Sequence, residues 1–148
     1  MTRVVIVGAG FAGLAAARAL ANRAGIEVVL LDRSNHHLFQ PLLYQVATAA
    51  LRPADISAPV RSILRGARNV RVLMADAQRI DLAARRVDTD AGPFAGDYLL
   101  IGAGATHAYF GHDAWEPYAP GLKTLSQATA MRARILLATA TNEAEVRA

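Results

Sequence analysis

Val4-Val5-Ile6-Val7-Gly8-Ala9-Gly10-Phe11-Ala12-Gly13 is the stretch on which the fold turns. Val4 to Val7 is an unbroken β-branched run, the mark of a strand buried on both faces of a parallel sheet. Gly8 permits a tight turn out of that strand. Gly10 has no Cβ, so a pyrophosphate can reach the backbone, and Gly13 lets a helix lie close on the strand. The first-turn N–H groups of such a helix face the phosphates, aided by the helix dipole. Leu14 to Arg23 is alanine-rich and reads as that helix, with Gly25 as its stop. Glu27 to Leu31 reads as a second buried strand ending at Asp32, 19 residues beyond Gly13. A carboxylate there accepts hydrogen bonds from the adenosine ribose hydroxyls. The blander alternative is a glycine-rich turn with a strand-terminal aspartate that only caps something. It requires neither the strand before, the helix after nor the acid at that distance, and all three are present.

Outward from this βαβ unit the pattern loosens. Residues 33–53 are irregular, with Pro41 and Pro53 as breakers and room for a short helix from Leu42 to Leu51. Ser57 to Arg65 reads as a helix with Ser57 as N-cap and Pro59 in its first turn. Val70 to Ala75 is a third strand. Asp90-Ala91-Gly92-Pro93 is a turn signal between Arg86–Thr89 and Phe94–Tyr98, predicting an antiparallel hairpin. Tyr98 to Ala103 is a further buried strand, and residues 104–122 form a Gly/Pro/aromatic loop. Thr124 with Gln127 makes a capping box for a long helix to about Val146. The fold class is therefore α/β: a Rossmann-like parallel sheet with an antiparallel β-hairpin.

The chain has 148 residues, 53% of them hydrophobic and 19% charged, which excludes a disordered or low-complexity segment. It has no cysteine, so it supplies no disulfide framework, thiolate zinc site or redox dithiol. Its net charge of +4 is uneven. Residues 1–75 carry nine arginines against three acids, whereas residues 76–148 carry seven basic against nine acidic groups. A positive first half suits a polyphosphate ligand or an anionic surface. It lacks the dense Lys/Arg clustering with interleaved aromatics of a nucleic-acid binder, and no nucleic-acid partner is expected. The longest apolar run, Val4 to Ala17, has 14 residues, too few for a membrane span, and its glycines argue against a signal peptide.

The fingerprint suits FAD and NAD alike, while Asp32 disfavours NADP, whose 2′-phosphate would face a carboxylate. Arg33 could meet such a phosphate and is kept as a candidate, although a solvated loop residue is the simpler account of it. The elements beyond the βαβ unit separate the two cofactors, because a simple NAD domain would continue with alternating strands and helices. Here an irregular segment, a helix, a strand and a hairpin intervene, which resembles the FAD-binding half of the flavoproteins with two dinucleotide-binding domains. Asn35-His36-His37-Leu38-Phe39-Gln40-Pro41-Leu42-Leu43-Tyr44-Gln45-Val46-Ala47-Thr48-Ala49-Ala50-Leu51 sharpens the likeness. So do Tyr98-Leu99-Leu100-Ile101-Gly102-Ala103-Gly104-Ala105-Thr106-His107-Ala108-Tyr109-Phe110-Gly111-His112 and Ala119-Pro120-Gly121-Leu122-Lys123-Thr124-Leu125. These stretches resemble the type II, non-proton-pumping NADH:quinone oxidoreductases, within the FAD-dependent pyridine nucleotide oxidoreductase superfamily.

The resemblance implies an FAD site. Gly8, Gly10, Phe11, Ala12 and Gly13 would surround the pyrophosphate, and Asp32 would meet the ribose. Ala77 would meet adenine through its backbone, Pro41, Gln45 and Thr48 would lie near the flavin ring, and Gly104 would allow close approach. Read without the family, residues 35–51 give only an apolar loop with a short helix, a plug for the core. The implied activity passes electrons from NADH through FAD to quinone. The alternative is a truncated dinucleotide-binding module without turnover of its own, and a NADH titration separates the two. The implied location is cytoplasmic, or the cytoplasmic face of the membrane, with peripheral membrane association through segments beyond this stretch. The resemblance covers the whole chain but corresponds to roughly the first third of such an enzyme. The expected division is an FAD-binding domain over 1–122 and a helix over 123–148 leading toward an NAD-binding domain, a fragment or truncated product. Without that domain the helix is expected to self-associate or fray.

Three positions depart from the family pattern. Gly102-Ala103-Gly104 replaces Ala-Thr-Gly, Ala49 stands where glycine is common, and Ala140 stands where a glutamate is expected between flavin and nicotinamide. Glu143 and Glu145 lie one turn further on. His36-His37 and His107 with His112, spaced i, i+5, lack a completing ligand shell, so no metal is expected. Arg61, Arg65, Arg68 and Arg71 suit a solvated face better than a lipid-docking patch. Tyr109, Phe110 and Trp115 are read as loop packing.

Overall fold

The computed structural model describes the backbone over residues 1–146 and the side chains over residues 1–140. Glu143 and Glu145 therefore fall outside the described side chains. The elements run β1 (Thr2–Val7), α1 (Phe11–Leu20), β2 (Ile26–Asp32), β3 (His36–Leu38), α2 (Leu43–Ala47), β4 (Ser57–Pro59) and α3 (Val60–Ile63). They continue with β5 (Val70–Met74), β6 (Ala77–Asp81), β7 (Arg86–Thr89), β8 (Gly92–Ala95), β9 (Tyr98–Ile101) and α4 (Leu125–Val146). The chain divides into two compact units, one of Met1–His37 with Ala58–Gly104, the other of Leu38–Ser57 with Ala105–Ala148.

The first unit is built on a four-stranded parallel sheet in the order β5-β2-β1-β9. The two central strands, β1 and β2, are buried on both faces, which accounts for their unbroken apolar runs. The edge strands β5 and β9 are only partly covered: Tyr98 and Ile101 are exposed, so the strand expected from Tyr98 is not a buried one. Val4 and Ile6 pair in register with Val28 and Leu30, and these four pack with Leu14, Ala17, Val60 and Leu64 of the helical face. Val5, Val7, Val29 and Leu31 point the other way and pack with Val87, Ile80 and Phe94 of a three-stranded antiparallel sheet, β6-β7-β8. The predicted hairpin is present as β7 and β8, closed by the Thr89 hydroxyl donating to the Gly92 carbonyl at 2.7 Å. Strand β6 was not expected: its Gln78 and Arg79 are exposed, and only Ala77 and the half-buried Ile80 reach the core.

Two further expectations are corrected. Helix α1 starts at Phe11, not Leu14, and ends at Leu20, well before Gly25; Asn22 (φ 56°) and Gly25 (φ 75°) both take the left-handed conformation in the turn that follows. Asparagine is among the few non-glycine residues that visit that backbone, and here its side chain is held by distant partners. Asn22 donates from Nδ2 to the Gly66 carbonyl and accepts from the Arg68 N–H. Ser57 is no N-cap: it lies in β4, and its hydroxyl donates to the Pro53 carbonyl at 2.9 Å. The helix begins at Val60 with Pro59 before it, because the residue preceding a proline is pushed into extended backbone.

The second unit centres on Leu43, Val46 and Ala47 of α2, with Ile56 and Ala128 of α4 buried against them. The capping box is formed as predicted: the Gln127 N–H donates to Thr124 Oγ1 at 3.2 Å and the Thr124 N–H to Gln127 Oε1 at 3.1 Å. No helix among the described residues is long and apolar enough to cross a membrane.

Candidate functional site

The glycine turn stands at the carboxyl end of β1. Gly8 has φ +96°, and its N–H donates to the Leu31 carbonyl at 2.7 Å. A Cβ on Gly8 would lie 2.3 Å from the Gly102 carbonyl oxygen, so the turn packs directly against the exit of β9. The Gly102 N–H in turn donates to the Val7 carbonyl at 2.7 Å. A Cβ on Gly13 would lie 1.8 Å from the Gly8 carbonyl oxygen, which is the close helix–strand contact the spacing implied. Gly10 differs from both. Its φ is −69°, and a Cβ built there meets nothing within 4 Å. The protein itself would accept a side chain at Gly10, and the space beside the first turn of α1 is open.

Asp32 closes β2 beside this turn. Its Oδ2 accepts from the Ala9 N–H at 2.6 Å and its Oδ1 from the Ser34 N–H at 2.6 Å. A carboxylate offers about four lone-pair sites, so each oxygen keeps capacity for a ligand hydroxyl. The Ala75 N–H donates to the Asp32 carbonyl at 2.9 Å, which brings the exit of β5 alongside. Ala77 stands two residues later, at the start of β6 and paired with Thr89. Arg33 is exposed. Gly104, at the end of this unit, has φ +77° with open space around it. Phe11 and Ala12 are exposed at the start of α1.

His37 carries no role in the sequence-based reading beyond the rejected metal pair, yet it reaches this turn. Its Nδ1 lies 2.9 Å from the Ala9 carbonyl oxygen, and its ring meets Phe11 edge-on, centroids 5.2 Å apart. The other three histidines have neighbours of their own: His36 against Asn35 Oδ1, His107 edge-on to Tyr109, and His112 stacked on Trp115. Among the described residues no group of three metal-ligating side chains is brought together.

Pro41, Gln45 and Thr48 belong to the second unit. Pro41 sits in a 3-10 turn over Gln40–Leu42. Gln45 donates to the Tyr44 hydroxyl at 2.9 Å, and the Thr48 hydroxyl to the Tyr44 carbonyl at 2.9 Å. Thr48 caps α2, and Ala49 after it takes φ +64°.

The first unit thus offers three elements of one kind of site: a glycine turn that protein atoms leave open at Gly10, a helix N-terminus, and a carboxylate fixed beside them. Residues 2–140 match the pyridine nucleotide-disulphide oxidoreductase family. Type II NADH:quinone oxidoreductase NdhA of Mycobacterium tuberculosis (strain ATCC 25618 / H37Rv) is 47% identical over 140 residues, covering 90% of this chain. The chain spans 29% of the length of that relative. Sulfide:quinone oxidoreductase from Aquifex aeolicus superposes with a TM-score of 0.83 at 25% identity, over 95% of this chain and 33% of its own. The structure of NDH2 from Plasmodium falciparum in complex with NADH gives 0.77 at 20% identity, over 88% of this chain and 28% of its own, and shares the fold.

Proposed function

We propose, from the premise that the chain belongs to the pyridine nucleotide-disulphide oxidoreductase family, that it is the FAD-binding portion of an NADH dehydrogenase passing electrons to quinone. Gly10 carries this reading. Gly8 and Gly13 are glycines because protein atoms crowd them, but nothing in the protein crowds Gly10. A glycine whose Cβ would project into open space beside a helix N-terminus is best explained by a ligand backbone passing there. The likeness to type II NADH:quinone oxidoreductase NdhA favours FAD as that ligand.

In this reading Gly8 to Gly13 cradle the pyrophosphate, Asp32 accepts from the ribose, and Ala77 presents its backbone to adenine. Pro41, Gln45 and Thr48 wall the flavin ring, and Gly104 admits close approach. Bound FAD supplies two-electron acceptance from NADH and release to quinone. The chain's own work is to bind, orient and shield it. Residues 1–122 form the FAD-binding domain and 123–148 lead on to an NAD-binding domain, the whole working in the cytoplasm or at the cytoplasmic face of a membrane. A second reading, a dinucleotide-binding module without turnover, is favoured by Ala140 in place of the expected glutamate.

The test is titration of the purified chain with FAD, read by absorbance and flavin fluorescence, for the wild type and Gly10→Val. Saturation at one FAD per chain, lost in a Gly10→Val protein that keeps its circular dichroism and Tm, is expected. Binding that survives Gly10→Val, or NAD binding in preference to FAD, overturns the assignment.

A further inference from the structure

We propose that His37 is a positioning residue for the dinucleotide turn, the second jaw of a clamp whose first jaw is Asp32; this rests on the FAD-site reading above. Ala9 lies buried between Gly8 and Gly10, and both peptide units flanking it are held from outside the turn. The Gly8–Ala9 unit is held through the Ala9 N–H by Asp32 Oδ2 at 2.6 Å. The Ala9–Gly10 unit is held through the Ala9 carbonyl by His37 Nδ1 at 2.9 Å. A carbonyl oxygen only accepts, so Nδ1 carries the proton and donates. His37 is thus the Nδ1–H tautomer or the doubly protonated ring.

The consequence falls on Gly10. Its N–H belongs to the same planar peptide as the Ala9 carbonyl, and in a trans peptide the two point in opposite directions. No peptide bond here is cis. Fixing the carbonyl toward His37 therefore fixes the Gly10 N–H away from it. Gly10 has no side chain to resist a peptide flip, so without the His37 bond this unit is the loosest of the turn. A donor already aimed costs less ordering when a ligand binds. The edge-on contact with Phe11, the first residue of α1, seats the imidazole at the helix start and keeps Nδ1 aimed at the turn.

Two substitutions separate the donor from the ring. His37→Asn places an amide N–H near the position of Nδ1 and removes the ring, whereas His37→Phe keeps an aromatic edge for Phe11 and removes the donor. FAD affinity is read by flavin fluorescence titration at fixed pH and salt. His37→Phe is expected to weaken FAD about tenfold, the value of one hydrogen bond, and His37→Asn to stay within about threefold of wild type. Wild-type affinity in His37→Phe, or equal loss in both variants, overturns the proposal. A wild-type chain that takes up no FAD overturns the FAD-site reading instead. The clamp is then read in the FAD-free chain by the long-range ¹⁵N–¹H spectrum of His37. The Nδ1–H tautomer at alkaline pH is expected, and an Nε2–H tautomer overturns the proposal whatever the chain binds.

Discussion

The backbone N–H of Ala9 donates to Asp32 Oδ2 at 2.6 Å across 23 residues of sequence. One carboxylate oxygen thereby ties the carboxyl end of β2 to the turn that leaves β1. In the proposed site Asp32 has two roles, holding the turn and accepting from the ribose beside it. The two roles predict two losses in Asp32→Ala. Hydrogen bonds to a charged group contribute about 1.5–3 kcal/mol each, so FAD should weaken roughly 10- to 150-fold. The FAD-free chain should also lose about 1–3 kcal/mol, through the stranded Ala9 and Ser34 donors. Flavin titration reads the first effect and urea denaturation the second. An unchanged dissociation constant would remove Asp32 from the site.

Gly13 should tolerate nothing. A Cβ there would lie 1.8 Å from the Gly8 carbonyl oxygen, and backbone cannot swing aside as a flexible side chain can. Gly13→Ala must push α1 off β1 and is expected to cost more than about 3 kcal/mol, in the range of severe overpacking. Thermal unfolding tracked by circular dichroism should give either a large drop in Tm or an unfolded product. A Gly13→Ala chain with wild-type Tm would mean that α1 lies further from β1 than the structure places it.

Ala49 offers the opposite experiment. The Ala50 N–H donates to the Gln45 carbonyl at 2.8 Å and the Ala49 N–H to the Val46 carbonyl at 3.1 Å. That is the Schellman closure of α2, which places Ala49 at the left-handed position with φ +64°. A non-glycine residue there costs about 1–2 kcal/mol, and glycine returns part of the gain to unfolded-chain entropy. Ala49→Gly should therefore stabilise the chain by about 0.5–1 kcal/mol. Denaturation midpoints for the two proteins decide it, and a destabilised Ala49→Gly would show that the left-handed turn is not the resting backbone.

These contrasts also mark what could be read before the fold was seen. Val4 to Asp32 was legible because a strand buried on both faces leaves no polar interruption and the glycine spacing fixes turn and helix together. The resemblance marked Ala49 only as a departure from a pattern; its φ supplies the reason. β6 was missed because Gln78 and Arg79 face solvent in a strand of five residues, too short for alternation to stand out. Ser57 was misread although Ala58-Pro59 carried the signal for extended backbone. His37 was legible only as a potential metal ligand, because the bond it makes, to a carbonyl 28 residues earlier, leaves no trace in local pattern.

Asp55 sets a pH dependence with a defined sign. The Arg52 side chain donates to it, as does the Arg52 N–H at 2.8 Å, and together they hold its carboxyl below the ordinary aspartate value. A carboxylate with a lowered folded value contributes stability that is complete above its unfolded value and is lost as pH falls through the folded one. The 3-10 turn over Pro53–Asp55 should thus loosen on acidification, and Asp55→Asn should abolish that dependence. The pair is solvent-exposed, so the effect should be local and small. Carboxyl ¹³C shifts across an acid titration give the Asp55 midpoint, and a midpoint at or above the ordinary value would dissolve the ion pair.

Turnover by a polypeptide of these 148 residues is the last quantity the site geometry predicts. Hydride transfer requires the nicotinamide held against the flavin at about 3–3.5 Å. The one GxGxxG of the sequence, Gly8 to Gly13, is the proposed FAD turn, and Gly102-Ala103-Gly104 has His107 where a third glycine would stand. His107 cannot stand in for it, because its ring is already packed against Gly121, where a Cβ would meet Nδ1 at 2.2 Å. Ala140 supplies no carboxylate. Lost positioning accounts for about 7–11 kcal/mol of barrier, five or more orders of magnitude in rate at about 1.4 kcal/mol per decade. The FAD-loaded chain should therefore show no sustained NADH:quinone reductase activity, while slow flavin chemistry with oxygen or artificial acceptors persists. Anaerobic stopped-flow mixing with NADH decides it. Flavin bleaching that saturates with NADH and outpaces free FAD by orders of magnitude would mean that a nicotinamide site exists within the chain or between two copies of it.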